Sequence, residues 1–324
     1  MTKIDRLKIG IVLPAHNEER TICNLMDSLY AAVSVNFPNA RLEIVVVNDG
    51  SNDRTHHLVT EYKKAQVQFD VTLVSFTRNF GKEAAMFAGL EALVNRMDRV
   101  CLMDSDGQHP PSELIRMLKE SFRSDSCVAG FQDYSSNGRT YRLGTSLLRL
   151  MRNSSSDGNP SGLSDFRVLT NFAVQSFLGL SERARFSREL FDYLGIPTIF
   201  MKYAVASRAD GTKSRWTRRG LVGYAITAIT SRGVLILPSL MFASLTVIAS
   251  VTFYAILVSL KSISDGNLNG TASILFTLVM FQILQFVFLF FVSAIVANLL
   301  IEAKRRPMYV VRPDSDSSGL RDKD

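Results

Sequence analysis

Residues 234–260 and 271–301 contain no charged side chain, and each run exceeds the ~20 apolar residues that carry a helix across a bilayer. Two such runs read as transmembrane helices. The short connector between them, KSISDGNLNG, makes the pair a hairpin. Residues 201–233 carry Lys202, Arg208, Lys213, Arg215, Arg218, Arg219 and Arg232 against the single acid Asp210, and Lys304, Arg305 and Arg306 follow the second run. Basic flanks mark the cytoplasmic side, so both ends of the chain are expected there, in an integral plasma (inner) membrane protein. At about 1.5 Å per residue the second run is longer than a ~30 Å hydrocarbon core, and its end is expected to continue into the headgroups. Gln282, Gln285 and Asn298 lie within it. Polar groups at such depth join helices, within a subunit or across a homo-oligomer.

The rest of the composition follows from this segregation. The chain has 324 residues and a net charge of +7, and its mean hydropathy of +0.11 is high for a chain that is 21% charged. The apolar residues gather near the C-terminus and basic residues flank them. Cys23, Cys101 and Cys127 are scattered, with neither metal-site nor disulfide-framework spacing. The N-terminal apolar run, Ile9–Leu13, is too short for a signal sequence and reads as a first strand. The final RPDSDSSGLRDKD is polar and reads as unstructured.

Residues 1–200 alternate two periodicities. Apolar runs at 8–14, 42–48, 71–75 and 99–103 have the length of buried strands. Helical patterns at 18–35, 53–66, 80–97 and 111–124 separate them. Strand and helix in alternation with short links predict an α/β fold with a mostly parallel sheet, which binds its ligand beyond the carboxyl ends of the strands. Each predicted strand ends in a polar cluster: Pro14-Ala15-His16-Asn17-Glu18, Asn48-Asp49-Gly50-Ser51, Thr77-Arg78-Asn79-Phe80-Gly81-Lys82 and Asp104-Ser105-Asp106. Any one alone is a turn with a helix cap. Four at successive strand ends define one crevice.

Carboxylates at i and i+2 on a strand-end loop can both turn towards a hard divalent cation, which takes its remaining ligands from water and phosphate oxygens. Such an ion offsets charge developing on a leaving diphosphate. A sugar nucleotide has that leaving group. Neither G-x-x-x-x-G-K-[ST] nor G-x-G-x-x-G occurs, which disfavours a P-loop kinase and a dinucleotide enzyme.

The stretches VLPAHNEE, VVVNDGSNDRT, TRNFGKEAAMFAGL, DSDGQHPP, DFRVLT, RADGTKSRW and EAKRRPMYVV run in this order from residue 12 to 311. With them the chain resembles the family 2 glycosyltransferases of GT-A fold, and among these the membrane-anchored polyisoprenyl-phosphate glycosyltransferases related to dolichyl-phosphate mannose synthase. The resemblance implies a GT-A domain over 1–200, a basic linker with an interfacial helix over 201–233, the hairpin over 234–301 and a cytoplasmic tail over 302–324. It implies that Pro14, Asn17 and Glu18 line a nucleotide pocket, that Asp49 and Ser51 hold base and ribose, and that Lys82 lies near the diphosphate. Asp104, Asp106 and Gln108 would hold Mg²⁺ or Mn²⁺, directly or through water. Asp165, Phe166 and Arg167 match the acceptor-side D-F-R, and Arg208 with Ser214-Arg215-Trp216 matches a segment that contacts phosphate. The family's G-x-S-K-[WY] is here one residue longer, which leaves Lys213 and Arg215 both as candidates. Gln132 stands where many relatives carry Arg.

A lipid phosphate has a second pKa of about 6, so the nucleophile is largely an anion at neutral pH and needs no strong base. The enzyme's work is then to hold two anions in line, which demands cations. Asp165 is accordingly expected to orient a basic side chain rather than remove a proton. Residues 139–152 carry Arg139, Arg142, Arg149 and Arg152 beside an apolar stripe, a pattern suited to an interfacial helix, and residues 217–232 form a second candidate. Arg142 joins Arg208, Lys213 and Arg215 as a candidate ligand of the acceptor phosphate. His16, His56, His57 and His109 lack metal-ligand spacing.

The expected function is a metal-dependent, inverting transfer of one sugar, UDP-glucose being the first choice of donor, to a polyprenyl phosphate on the cytoplasmic leaflet. Nucleic acid is not an expected partner. A processive polysaccharide synthase shares the same aspartates but usually has more membrane helices and a Q-x-x-R-W motif, whose Gln is missing at Thr212. A membrane-bound scaffold that binds nucleotide sugars without turnover is the alternative outside enzymes.

Overall fold

The computed structural model describes residues 7–131, 163–182, 187–203, 271–313 and 315, with isolated positions between 246 and 257. The chain divides into two compact units, Met1–Arg215 with Pro307–Asp324, and Trp216–Arg306.

The first unit is built on a seven-stranded sheet. Its strands are β1 (Lys8–Ala15), β2 (Arg41–Asn48), β3 (Asp70–Ser75), β4 (Arg99–Leu102), β5 (Cys127–Phe131), β6 (Leu163–Thr170) and β7 (Thr198–Lys202), in the order β3-β2-β1-β4-β6-β5-β7. The first four pair in parallel, β6 runs antiparallel to both its neighbours, and β7 is parallel to β5. The expected α/β fold and mostly parallel sheet are therefore present, with one reversed strand inside.

The strands read as continuous apolar runs because both faces of the sheet are covered. Ile9, Ile11, Leu13, Ile44 and Val46 face one core, which they share with α1 (Ile22–Asn36), α2 (Thr55–Ala65) and α4 (Pro111–Ser124). Val12, Val45, Val47 and Val74 face the other, with α3 (Lys82–Leu93), α5 (Asn171–Gly179) and α6 (Ser187–Leu194). Alternation of side chains along each strand sorts neighbouring residues between the two cores. The α3 sequence KEAAMFAGLEAL has no polar stripe because every residue from Ala84 to Leu93 is buried. A Cβ on Gly89 would lie 2.2 Å from Val12 Cγ1, so glycine lets α3 press against β1.

The order of the strands sets the site. From β1 the chain steps to β2 and β3 on one side and returns to β4 on the other. The strand order reverses there, and a crevice opens between the carboxyl ends of β1 and β4.

In the second unit, Thr271–Ala303 form one 33-residue helix, α7. Over the positions whose side chains are described, no helix is long and apolar enough to cross a membrane, and most of residues 204–270 lie outside the description. The expected hairpin is therefore not traced among the described residues. The interfacial segments 139–152 and 217–232 also fall outside. The tail departs from its expectation: Arg312 N donates to Ser75 O at 2.7 Å and Ser315 Oγ to the same oxygen at 3.0 Å, so its beginning is held against β3.

Gly50 has φ +61°, and a Cβ there would lie 2.3 Å from the carbonyl carbon of Arg78. Gly50→Ala is expected to cost about 2 kcal/mol or more, from left-handed backbone strain and the clash. Chemical denaturation of the purified protein measures this, with a lowered midpoint at unchanged slope as the expected result.

Candidate active site

At the end of β4 the backbone carries Asp104, Ser105 and Asp106 into the crevice. Ser105 ties the two lips together: its Oγ donates to Pro14 O at 2.7 Å, and its carbonyl accepts from Thr21 Oγ1 at 3.1 Å. The reversed strand supplies the third wall. Leu102 pairs with Arg167, and continuing the antiparallel register by two residues sets Asp165 across from Asp104. A parallel strand would deliver its carboxyl end to this edge; β6 delivers its start.

Between the two carboxylates stands Lys82, the first residue of α3. Its Nζ is 2.6 Å from Asp104 Oδ1 and 2.7 Å from Asp165 Oδ2. Arg188 approaches Asp165 from the opposite side, with Nε 2.9 Å from Oδ1. Arg188 is aimed by its neighbour: Glu83 accepts from Ser187 N at 3.0 Å and also from the Ser187 hydroxyl, pinning the start of α6 to the start of α3. His109 closes the rear, its Nε2 3.5 Å from Asp104 Oδ2 and its ring stacked on Phe166 at 4.7 Å.

Burial alone would raise the pKa of Asp104 and of Asp165. Burial is the largest single influence, but Lys82 with His109 at the first, and Lys82 with Arg188 at the second, together outweigh it, and both carboxyls lie well below the usual carboxylate range. Burial likewise pulls on Lys82, but the two carboxylates hold its pKa above the ordinary lysine value. Lys82 and Asp104 side chains remain 39% and 35% exposed, so solvent screens this pair. Glu83 moves the other way, its pKa raised by burial.

On the far side of the crevice, Asn17 and Ser51 are joined by a bond from Asn17 N to Ser51 Oγ at 3.0 Å. Asn17 has φ 59°, a left-handed turn that asparagine tolerates. Glu18 N donates to Thr55 Oγ1 at 2.8 Å, and the Glu18 carboxylate accepts from Thr21 Oγ1 at 2.9 Å. Asp49 is 4% exposed, and its carboxylate accepts from Phe80 N at 2.6 Å and Gly81 N at 3.0 Å. Its visible work is to staple the end of β2 to the 76–82 loop, a role that the turn-like NDGS did not signal. Burial raises its pKa against the pull of these two amides.

Residues 10–178 match the family described as Glycosyl transferase family 2. The chain belongs to glycosyl transferase family 2. The bactoprenol glucosyl transferase of Shigella phage SfV is 30% identical over 94% of this chain and 98% of its own length. The prophage bactoprenol glucosyl transferase homolog of Escherichia coli K12 is 29% identical over 94% and 99%. Among solved structures, mannosyl-3-phosphoglycerate synthase from Rubrobacter xylanophilus shares the fold with a TM-score of 0.50, at 18% identity over 73% of this chain and 75% of that one. The protein is thus a glycosyltransferase with a Rossmann-like GT-A sheet.

Within this family 2 domain the expected site residues all lie at the carboxyl edge of the sheet: Pro14 near the end of β1, Asn17, Glu18, Asp49, Ser51, Asp104, Asp106 and Gln108 on the loops after β1, β2 and β4, Lys82 at the start of α3 and Asp165 near the start of β6. Arg167 is set apart from them. It is 4% exposed, lies over the Phe191 ring at 4.7 Å, and its Nη2 has no hydrogen-bond partner among the described residues. Burial lowers its pKa. Arg142, Arg208, Lys213, Arg215 and Gln132 lie outside the described residues. Sequence reasoning missed Arg188, Glu83 and the bracing role of His109.

Among the described residues no three His, Cys, Asp or Glu side chains form a ready metal cage. Two carboxylates with the Gln108 amide oxygen are nonetheless a hard, oxygen-only donor set, the chemistry that suits Mg²⁺ or Mn²⁺. The Asp106 carboxylate accepts from Gln108 N at 3.0 Å, which folds the loop so that both residues stay near Asp104.

Replacing Arg188 with Ala removes the second cation from Asp165. Sugar transfer is expected to fall about tenfold or more, equivalent to roughly 1.4 kcal/mol in the transition state, while affinity for the nucleotide-sugar donor stays within about twofold. Steady-state kinetics with calorimetric titration of the donor check both.

Proposed function

We propose that this family 2 enzyme transfers one sugar, glucose in the first instance, from UDP to a polyprenyl phosphate at the cytoplasmic face of a membrane, with inversion at the anomeric carbon. The observation that carries the reading is Lys82, which touches a donor-side carboxylate, Asp104, and an acceptor-side carboxylate, Asp165, at once. The near full-length relatives named as bactoprenol glucosyl transferases support the acceptor and the sugar.

Asp104, Asp106 and Gln108 would hold Mg²⁺ or Mn²⁺, which when bound offsets charge on the diphosphate leaving group. The chain's own groups then do three things. Asn17, Glu18 and Ser51 line the nucleotide end of the crevice. Lys82 presents its ammonium between the two anions that must meet. Asp165 orients Lys82 and Arg188 and, with its pKa depressed, is a poor proton acceptor. The acceptor oxygen attacks the anomeric carbon from the face opposite the diphosphate, forming one C–O bond as the other breaks. The electron pair leaves with UDP, and a single displacement inverts the configuration.

The membrane assignment rests on the two uncharged runs and their basic flanks. It is supported by α7, which exposes Ile274, Leu278, Phe286 and Leu299, an apolar surface that lipid would cover. α7 is one continuous 33-residue helix with no charged side chain from Thr271 to Ile301.

The test is to incubate purified full-length protein with undecaprenyl phosphate, Mn²⁺ and a panel of radiolabelled nucleotide sugars. Label entering the organic phase from UDP-glucose alone is expected, and Asp106→Ala should reduce it by about a hundredfold or more. Absence of label from every donor would refute the reading. The charges of Asp104 and Asp165 are complete above about pH 4 and are lost only as pH falls through their lower folded values. The acid limb of activity is therefore expected near pH 6, from the acceptor phosphate, and should keep its midpoint in Asp165→Asn.

A further inference from the structure

The segment after α7 returns to the first unit and adds to the exposed side of β3, the edge strand. Thr77 N donates to Val310 O at 2.9 Å, Arg312 N to Ser75 O at 2.7 Å, and Phe76 and Val311 form an antiparallel bridge. The Ser315 hydroxyl completes the pairing by accepting from Ser75 N at 2.8 Å while donating to Ser75 O. Tyr309 stacks on Phe76 at 4.8 Å and 15°, and its hydroxyl donates to the buried Glu91 of α3. Met308, Tyr309 and Val311 pack against the second core.

The residues gripped in this way carry the crevice. Ser75 Oγ meets His56 Nδ1 at 2.8 Å and Asn48 Nδ2 at 3.4 Å. Asn48 Oδ1 accepts from Ser51 N at 3.0 Å, and Ser51 Oγ from Asn17 N. Phe76 meets Phe80 edge-on at 5.7 Å, and Phe80 and Gly81 supply the two amides that hold Asp49. From residues 309–315 to Asn17, Asp49 and Ser51 every link is a hydrogen bond or a ring contact. An edge strand otherwise leaves its outer amides unpaired and its end loop free to shift.

We propose that residues 307–313 with Ser315 form a positioning element for the donor nucleotide, with Tyr309 and Ser315 setting the 76–82 loop and, through it, the pocket at Asn17, Asp49 and Ser51. This rests on the assignment of that pocket to the nucleotide. The contacts stand on the donor side of the crevice, so their loss is read in donor binding ahead of acceptor use.

The experiment compares UDP binding with Mn²⁺ by calorimetry for the detergent-solubilised full chain, Tyr309→Ala, Tyr309→Phe, Ser315→Ala and a chain ending at Arg306. Thermal melts and the KM for undecaprenyl phosphate are measured beside it. Tyr309→Ala and the shortened chain are expected to bind UDP roughly tenfold more weakly, with acceptor KM within about twofold. Tyr309→Phe, which keeps the stack and loses the bond to Glu91, should fall between. A synthetic peptide of residues 307–318 should restore UDP affinity to the shortened chain. The point variants carry the test whether or not the shortened chain folds. Unchanged UDP affinity in folded Tyr309→Ala, or equal losses for UDP and acceptor that track the melting temperature, overturns the positioning role alone. A full chain that binds no UDP overturns the pocket assignment and this proposal together.

Discussion

The ammonium of Lys82 is the contact on which the rest of the site depends. The sheet brings Asp104 from β4 and Asp165 from β6 to the same point, and two carboxylates at such range repel unless a cation stands between them. Lys82 meets both at salt-bridge distance, and its position at the first turn of α3 is set by the buried apolar body of that helix. A fixed positive charge is thus built into the crevice before any substrate arrives, the condition under which electrostatic stabilisation is most effective.

The neighbouring residue makes the arrangement stiff. Glu83 points into the interior and secures Ser187, so that consecutive residues of one helix do opposite jobs: Lys82 gathers the carboxylates and Glu83 anchors the helix that brings Arg188. Asp165 then has a cation on each oxygen, which favours an orienting role over proton removal.

Much of this was legible in the residues. The four apolar runs became β1 to β4, because strands covered on both faces show no polar alternation, and the four polar clusters lie at their carboxyl ends. The reversed β6 was not legible: DFRVLT looks the same in either direction, and only the register with β4 reveals that Asp165 faces Asp104. Arg188 sits in RARFSRELF, which reads as an ordinary amphipathic helix, and its purpose appears only through Glu83, distant in sequence. His109 was discounted for lack of metal-ligand spacing, whereas it braces a carboxylate. Asp49 illustrates the ambiguity of turn residues: the same NDGS suits a ligand contact and a backbone staple. The return of the chain to β3 carried a faint signal in Tyr309-Val310-Val311, a short β-prone run after Pro307.

The reversal of β6 also sets what meets at the rim of the crevice. Because β5 ends and β6 begins at the same edge of the sheet, the two anchor points of residues 132–162 both stand on the rim of the crevice. The reversal thus brings the end of one strand and the start of the next to the edge of the sheet that bears Asp104 and Asp165.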